Sequence, residues 1–290
     1  MSSHALLLVN RHARQGQKRY EEAINCLHQL GLKIITESTE NPTQLGELIR
    51  HYQQEINLVI VGGGDGTLNA AVEAIVDTQL TLGILPLGTA NDLARTLGIP
   101  NSIPQACEII ANGKLRRIDL GSVNGKYFFN VASLGLSVNI TQQLTKEIKQ
   151  RWGILAYAAI AFQVIWKSRP FSAEIQIHGE STLVKTVQIA VGNGRYYGGG
   201  MAIVHDAAID DQRLDLYSLE IDHWWQIIPL LPAMREGKHI NWPNVRALQG
   251  QEITVYTRKP HSINTDGEIT THTPATFRVI PQAITVLVPA

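Results

Sequence analysis

The stretch from Asn57 to Asn69, Asn-Leu-Val-Ile-Val-Gly-Gly-Gly-Asp-Gly-Thr-Leu-Asn, admits few folds. Leu58 to Val61 is apolar without polar alternation, as expected of a strand buried on both faces. It runs straight into Gly62, Gly63 and Gly64, and Leu68 to Val76 then carries a helical pattern. A strand that turns through glycines into a helix aims free N–H groups and the positive end of the helix dipole at an anion. Glycine lets the main chain approach a phosphate without interference from a Cβ.

The turn matches neither of the common phosphate loops. It has no Lys for a P-loop, and the dinucleotide fingerprint would need glycine where Thr67 stands. Asp65 is the unusual residue. A carboxylate inside a phosphate cradle repels the ligand unless a divalent cation or a buried hydrogen bond compensates it. A Mg²⁺–nucleotide site therefore fits better than bare phosphate or NAD. An ordinary turn in which Asp65 caps a helix stays open.

Ala5 to Val9 reads as a first parallel strand, ending near Arg11 and Arg14, where ligands of open α/β sheets bind. Leu32 to Thr36 and Thr81 to Leu85 read as further strands. The latter leads into a second turn, Pro86-Leu-Gly-Thr-Ala-Asn-Asp92, with Gly88 for close approach, the Thr89 hydroxyl, and Asn91 and Asp92 as helix caps. Beyond Ile118 to Gly121 the pattern changes to strands joined by turns. These are Tyr127–Val131, Ala173–Ile177, Thr186–Val191, Leu214–Leu219, Glu252–Thr257, Phe277–Val279 and Ile284–Val288, with helices at 140–168 and 223–236. The expected architecture is an α/β nucleotide-binding domain over 1–120 and a β-rich domain over 121–290, the last strand free to pack back on the first domain.

The 290 residues suit two domains, and 25 basic against 25 acidic residues give no global field toward nucleic acid. Cys26 and Cys107 are too few for a disulfide framework. The first nine residues lack the basic start of a signal peptide, so a cytoplasmic protein is expected. Gly153 to Trp166 is apolar but shorter than the ~20 residues of a membrane span. Trp152, Tyr157, Phe162 and Trp166 suit a bilayer surface, an acyl cleft or a core.

The two glycine turns, Gly62 to Asn69 and Pro86 to Asp92, together resemble the diacylglycerol kinase catalytic family. With Asp210-Asp211 and Asp266-Gly-Glu268, the chain is most similar to the bacterial YegS-type lipid kinases. The resemblance covers essentially the whole chain and implies an active site in the cleft between the two domains. It implies an ATP- and Mg²⁺-dependent transfer to a hydroxyl of diacylglycerol or a related lipid. ATP contacts fall on Thr39, Gly63, Gly64, Asp65, Gly66, Thr67, Leu68, Asn69 and Thr89, and the catalytic base on Glu268, with Asp65 also serving catalysis. Read from the residues alone, Asp266-Gly267 is equally a hairpin turn carrying a solvated Glu268. The resemblance also implies a magnesium ion held by Ala208, Asp211 and Arg213, although Gln212 stands where the family usually has glycine. The expected partner is a lipid at the inner membrane face, without nucleic acid or a transmembrane segment, and a homodimer stays open. The alternatives are an NAD kinase-like activity on a soluble acceptor and a non-catalytic nucleotide- or lipid-binding protein.

Overall fold

The computed structural model describes residues 4–10, 16–39, 41, 43–143, 163, 165, 166 and 168–290. Arg11, Arg14 and most of the apolar stretch from Trp152 to Trp166 lie outside the described residues.

The first half alternates strand and helix: β1 (His4–Asn10), α1 (Gly16–Gln29), β2 (Lys33–Thr39), α2 (Gln44–Tyr52), β3 (Leu58–Gly63), α3 (Asp65–Thr78), β4 (Thr81–Pro86), α4 (Asp92–Thr96) and α5 (Ile103–Asn112). Ala5 to Val9 and Leu58 to Gly62 are buried throughout, because helices cover both faces of these parallel strands. The registers Val9↔Gly62 and Gly62↔Leu85 align the strands' carboxyl ends, so both glycine turns emerge on one edge. Ligands of open α/β sheets bind at such an edge.

The chain continues with β5 (Lys114–Val123), β6 (Lys126–Phe128), β7 (Val131–Gly135), α6 (Leu136–Gln143), β8 (Phe171–Ile177), β9 (Glu180–Thr186) and β10 (Gln188–Gly192). A short hairpin, β11 (Tyr196–Tyr197) and β12 (Met201–Ala202), precedes β13 (Leu214–Leu219). A 3₁₀ turn at Trp224–Ile227 and α7 (Leu230–Glu236) occupy the helical stretch expected at 223–236. The remaining strands are β14 (Val245–Gly250), β15 (Glu252–Thr257), β16 (Ser262–Thr265), β17 (Glu268–His272) and β18 (Ala275–Val288).

Two sheets result. The larger has ten strands in the order β2-β1-β3-β4-β18-β15-β8-β9, with β5 on β18 and β6 on β5; the second has six, in the order β14-β13-β10-β7-β16-β17. Phe128, Leu134, Ile189, Leu216, Ile253 and Phe277 pack between them. The α/β domain and the β-rich domain thus share the larger sheet through β18, which lies between β4 and β15.

Four expected strands are placed differently. Tyr127–Val131 breaks at Phe129 and Asn130 into β6 and β7, and Thr186–Val191 crosses at Val187 from one sheet to the other. Phe277–Val279 and Ile284–Val288 belong to one strand, whose pairing with β5 shifts register between Ile280 and Ile284. Of the helix expected over 140–168, the described residues are 140–143, which end α6, and 163, 165, 166 and 168.

Candidate active site

The strand-to-helix turn is as short as it can be: β3 ends at Gly63, Gly64 is the cap residue in an extended conformation, and α3 begins at Asp65. A Cβ on Gly63 would lie 2.5 Å from Thr67 Cβ, and one on Gly88 would lie 2.4 Å from Gly64 Cα. The two glycine turns therefore touch main chain to main chain, which no other residue permits.

Asp65 holds them together. Its Oδ2 accepts from the Asp92 N–H at 3.1 Å and its Oδ1 from the Leu93 N–H at 2.9 Å. It therefore caps α4 across space and not the helix it belongs to. Asn91, expected as a cap, makes no cap hydrogen bond. Its side chain instead clamps Gly88, accepting from its N–H and donating to its carbonyl, both at 3.0 Å. Asp92 opens α4 but turns its carboxylate outward, accepting from the Gly199 N–H at 2.8 Å. Burial pushes the Asp92 carboxyl up to about 6, and the nearby Asp65 adds to the rise.

The other expected nucleotide residues gather on the same edge. Thr39 ends β2 opposite Asn10, two strands from Gly63, and its buried Oγ1 has no hydrogen-bond partner among the described residues. Asn69 lies one helical turn beyond Asp65, and its Oδ1 is likewise buried and unpartnered. Thr89 is exposed on the second turn. Leu68 differs: its side chain is 1% exposed in the α/β core, so it offers a ligand only its backbone.

Glu268 arrives from the other sheet. It is exposed at the start of β17, and its Oε1 lies 3.5 Å from the position a Cβ on Gly66 would take. The turn before it is indeed a hairpin, with Asp266 and Gly267 both at positive φ. Asp266 is no passive turn residue, however. Its carboxylate accepts from the backbone N–H groups of Phe129, Asn130 and Val131 at 2.6, 3.0 and 3.0 Å. It thereby satisfies the donors freed where β6 breaks from β7. Burial pushes this carboxyl up to about 7 against the pull of those three donors.

Ala208, Asp211 and Arg213 lie elsewhere, alongside β5, where the Asp119 N–H donates to the Ile209 carbonyl. Gln212 takes the left-handed conformation that glycine would favour, φ 59°, and its N–H donates to Asp119 Oδ2 at 2.7 Å. Arg213 Nε sits 3.0 Å from Asp211 Oδ2, and Asp210 is bound to Arg116. A divalent cation at Asp211 would have to displace the partly exposed Arg213 guanidinium. Among the described residues no group of three or more His, Cys, Asp or Glu side chains is placed to hold a metal.

Sequence reasoning missed Asp266 as an anchor and Asp92 as a contact to Gly199. Both bonds join residues more than a hundred positions apart. For Asp266 the only local signal was a carboxylate beside a glycine, and for Asp92 a capping position before a helix.

Residues 4–123 match the diacylglycerol kinase catalytic domain, and residues 130–288 match the YegS C-terminal NAD kinase beta sandwich-like domain. A diacylglycerol kinase of Bacillus subtilis (strain 168) is 31% identical over 280 residues, covering 94% of this chain and 91% of its own. One from Staphylococcus saprophyticus is 28% identical over 245 residues, covering 84% and 80%. The solved structure of a diacylglycerol kinase from Bacillus anthracis str. Sterne shares the fold with a TM-score of 0.83 at 24% identity, over 99% of this chain and 97% of its own.

Proposed function

This chain belongs to the diacylglycerol kinase catalytic family and is a lipid kinase, and we propose that it moves the γ-phosphoryl group of ATP onto a hydroxyl of diacylglycerol or a closely related lipid. The approach of Glu268 to Gly66 carries the reading. It brings an exposed carboxylate from one sheet against a phosphate-type turn on the other.

Phosphoryl transfer asks the protein mainly for positioning and charge neutralisation. The N–H groups of Gly64, Asp65 and Gly66 at the start of α3 offer the phosphates donors and a favourable dipole, while that of Thr67 is taken by the Gly64 carbonyl. The unpartnered Thr39 Oγ1 and Asn69 Oδ1 support the fit, since a bound nucleotide would satisfy buried polar atoms that otherwise carry a cost. Glu268 takes the proton of the acceptor hydroxyl as its oxygen attacks phosphorus. Magnesium bound with the nucleotide would neutralise phosphate charge; Asp65, both of whose oxygens already accept from α4, would meet it only through the lone pairs those two bonds leave free.

The acceptor sits in a bilayer, so this reading includes a weak, reversible contact with the membrane surface. No helix among the described residues is long and apolar enough to cross a membrane. Trp166, Trp225, Ile228 and Leu231 are each about half exposed or more, and the Trp166 and Trp224 rings lie 4.9 Å apart. Tryptophan favours the bilayer interface, where its ring is buried and its N–H stays wet.

Labelled ATP offered in parallel to a lipid extract and to NAD tests the reading. Label in the lipid fraction, lost with Glu268→Gln, is expected. Label in NAD alone, or no transfer to either, overturns it.

A further inference from the structure

Besides the approach of Glu268 to Gly66, a second connection joins the phosphate turn to the six-stranded sheet, and it passes through Asp92. On the turn's side, the backbone N–H groups of Asp92 and Leu93 are fixed by Asp65. On the far side, the Asp92 carboxylate accepts from Gly199 in the tip of the β11–β12 hairpin. That tip is Gly198-Gly199-Gly200, all three at positive φ, so its N–H groups can turn inward toward one carboxylate. Thr96, one turn along α4, takes a parallel bond, its Oγ1 accepting from the Tyr196 N–H at 3.3 Å.

The hairpin is itself rooted in the second sheet. The Tyr197 hydroxyl lies 2.6 Å from that of Tyr217 on β13, and Tyr217 is bonded to Gln188 on β10. At the hairpin's base, Asn193 donates to the carbonyls of Asp119 and Phe129. The hairpin is thus a stiff arm of the sheet that carries Glu268, gripping the short helix that Asp65 ties to the phosphate turn. Asp92 is 4% exposed; its Oδ1 has no hydrogen bond among the described residues and only the Arg95 guanidinium at 4.0 Å, so the one hydrogen bond this carboxylate makes there is to the arm.

We infer that Asp92 is a positioning residue: by latching the β11–β12 hairpin to α4 it fixes the separation between the phosphate turn and Glu268. The inference rests on the kinase reading above for its kinetic consequence, but not for its structural one. The Asp92 backbone N–H stays available to Asp65 whatever the side chain, so removing the carboxylate releases the arm without disturbing the phosphate turn. Misplacement of a reacting group by about 1 Å can cost about 10²-fold in rate.

The test compares Asp92→Ala with Asp92→Asn, which keeps one oxygen for the Gly199 N–H. Asp92→Ala should lower kcat by about 10²-fold, with KM for ATP nearly unchanged, and Asp92→Asn should recover much of that loss. Hydrogen exchange supplies a readout independent of turnover. A non-hydrolysable ATP analogue should slow exchange over residues 196–202 in the parent and in Asp92→Asn, but not in Asp92→Ala. A folded Asp92→Ala protein with parental kcat, or one whose defect lies wholly in KM for ATP, overturns the inference, as does hairpin protection that persists in it. Absence of lipid phosphorylation by the parent refutes the kinase reading instead, and the exchange experiment still decides the latch.

Discussion

Asp266→Asn exchanges one oxygen of a carboxylate that closes the break between β6 and β7. Asp266 Oδ2 accepts from Phe129 at 2.6 Å, and Oδ1 accepts from Asn130 and Val131 at 3.0 Å each. An asparagine with its oxygen in the Oδ1 position keeps two of these bonds, uncharged, and turns an NH₂ group against the Phe129 N–H. The opposite orientation loses two bonds and is worse. A charge-assisted hydrogen bond is worth about 1.5–3 kcal/mol, and a buried donor left unsatisfied costs about 1–3 kcal/mol. These overlap, so a net loss of ~3 kcal/mol is the working figure. At roughly 2–4 °C per kcal/mol, the melting temperature should fall by about 6–12 °C. The loosened turn carries Glu268 with it, so kcat should drop by about 10²-fold while ATP affinity holds. Thermal melting, turnover and ATP-analogue titration on one preparation check all three. A folded variant with parental melting temperature and parental kcat would refute the anchoring role.

The same carboxyl gives a pH signature. Its folded value of about 7 lies above the ordinary value of about 3.9 expected in the unfolded chain. Its contribution to stability is therefore fully present at low pH and is lost as pH rises through about 7. Acceptance of the three N–H groups runs the other way and weakens as pH falls through the same value. Between about pH 6 and about pH 8, turnover should rise while this group's share of the melting temperature falls, and Asp266→Asn should flatten both.

Glu268→Gln keeps the side chain's shape and removes the base, so lipid phosphorylation should fall by about 10²–10⁴-fold with ATP binding intact; parental turnover would dismiss Glu268 from the reaction. Gly88→Ala forces a methyl to within 2.4 Å of Gly64 Cα. Separating the two turns should cost about 1–3 kcal/mol and abolish ATP binding, and calorimetry showing normal affinity would contradict that packing. Trp225→Ala/Leu231→Ala removes apolar surface that is about half exposed. At about 25 cal/mol per Å², and roughly 100 Å² of the Trp face entering the bilayer, the loss is ~2.5 kcal/mol before counting Leu231, and co-sedimentation with vesicles should fall at least tenfold. Undiminished sedimentation would exclude this face.

What the chain's pattern disclosed followed how local each signal is. Unalternated runs such as Ala5–Val9 and Leu58–Val61 mark strands covered on both sides, and the triple glycine marks the turn, because each property is written in adjacent residues. Val187 was invisible as a crossing point. Thr186 to Val191 reads as one strand, yet the Thr186 hydroxyl lies within donating distance of the carbonyl oxygens of Gln188 and Leu219, with one proton for either, where the chain changes sheet. Asp65 was legible as an oddity needing compensation, but its partners on α4 were not, since 27 and 28 residues separate them. Glu268 stood out only through the resemblance, because an Asp-Gly turn followed by Glu is common in any hairpin. The guanidinium beside Asp211 was equally hidden: Arg213 is two residues away, and only a folded turn brings the pair together.

The position of β18 has a bearing on how the protein is made. Every other strand of both sheets leaves the ribosome before it, at about 5–20 residues per second. Until residues 275–288 emerge, β4, which borders the second glycine turn, has an unpaired edge, an invitation to pair with another chain. A fragment cut before Ala275 would carry every residue assigned to nucleotide and base and still lack the strand that joins β4 to β15 in the larger sheet. The two halves of the larger sheet are thus joined last, and the strand that closes the open edge of the nucleotide domain is the final one to be made.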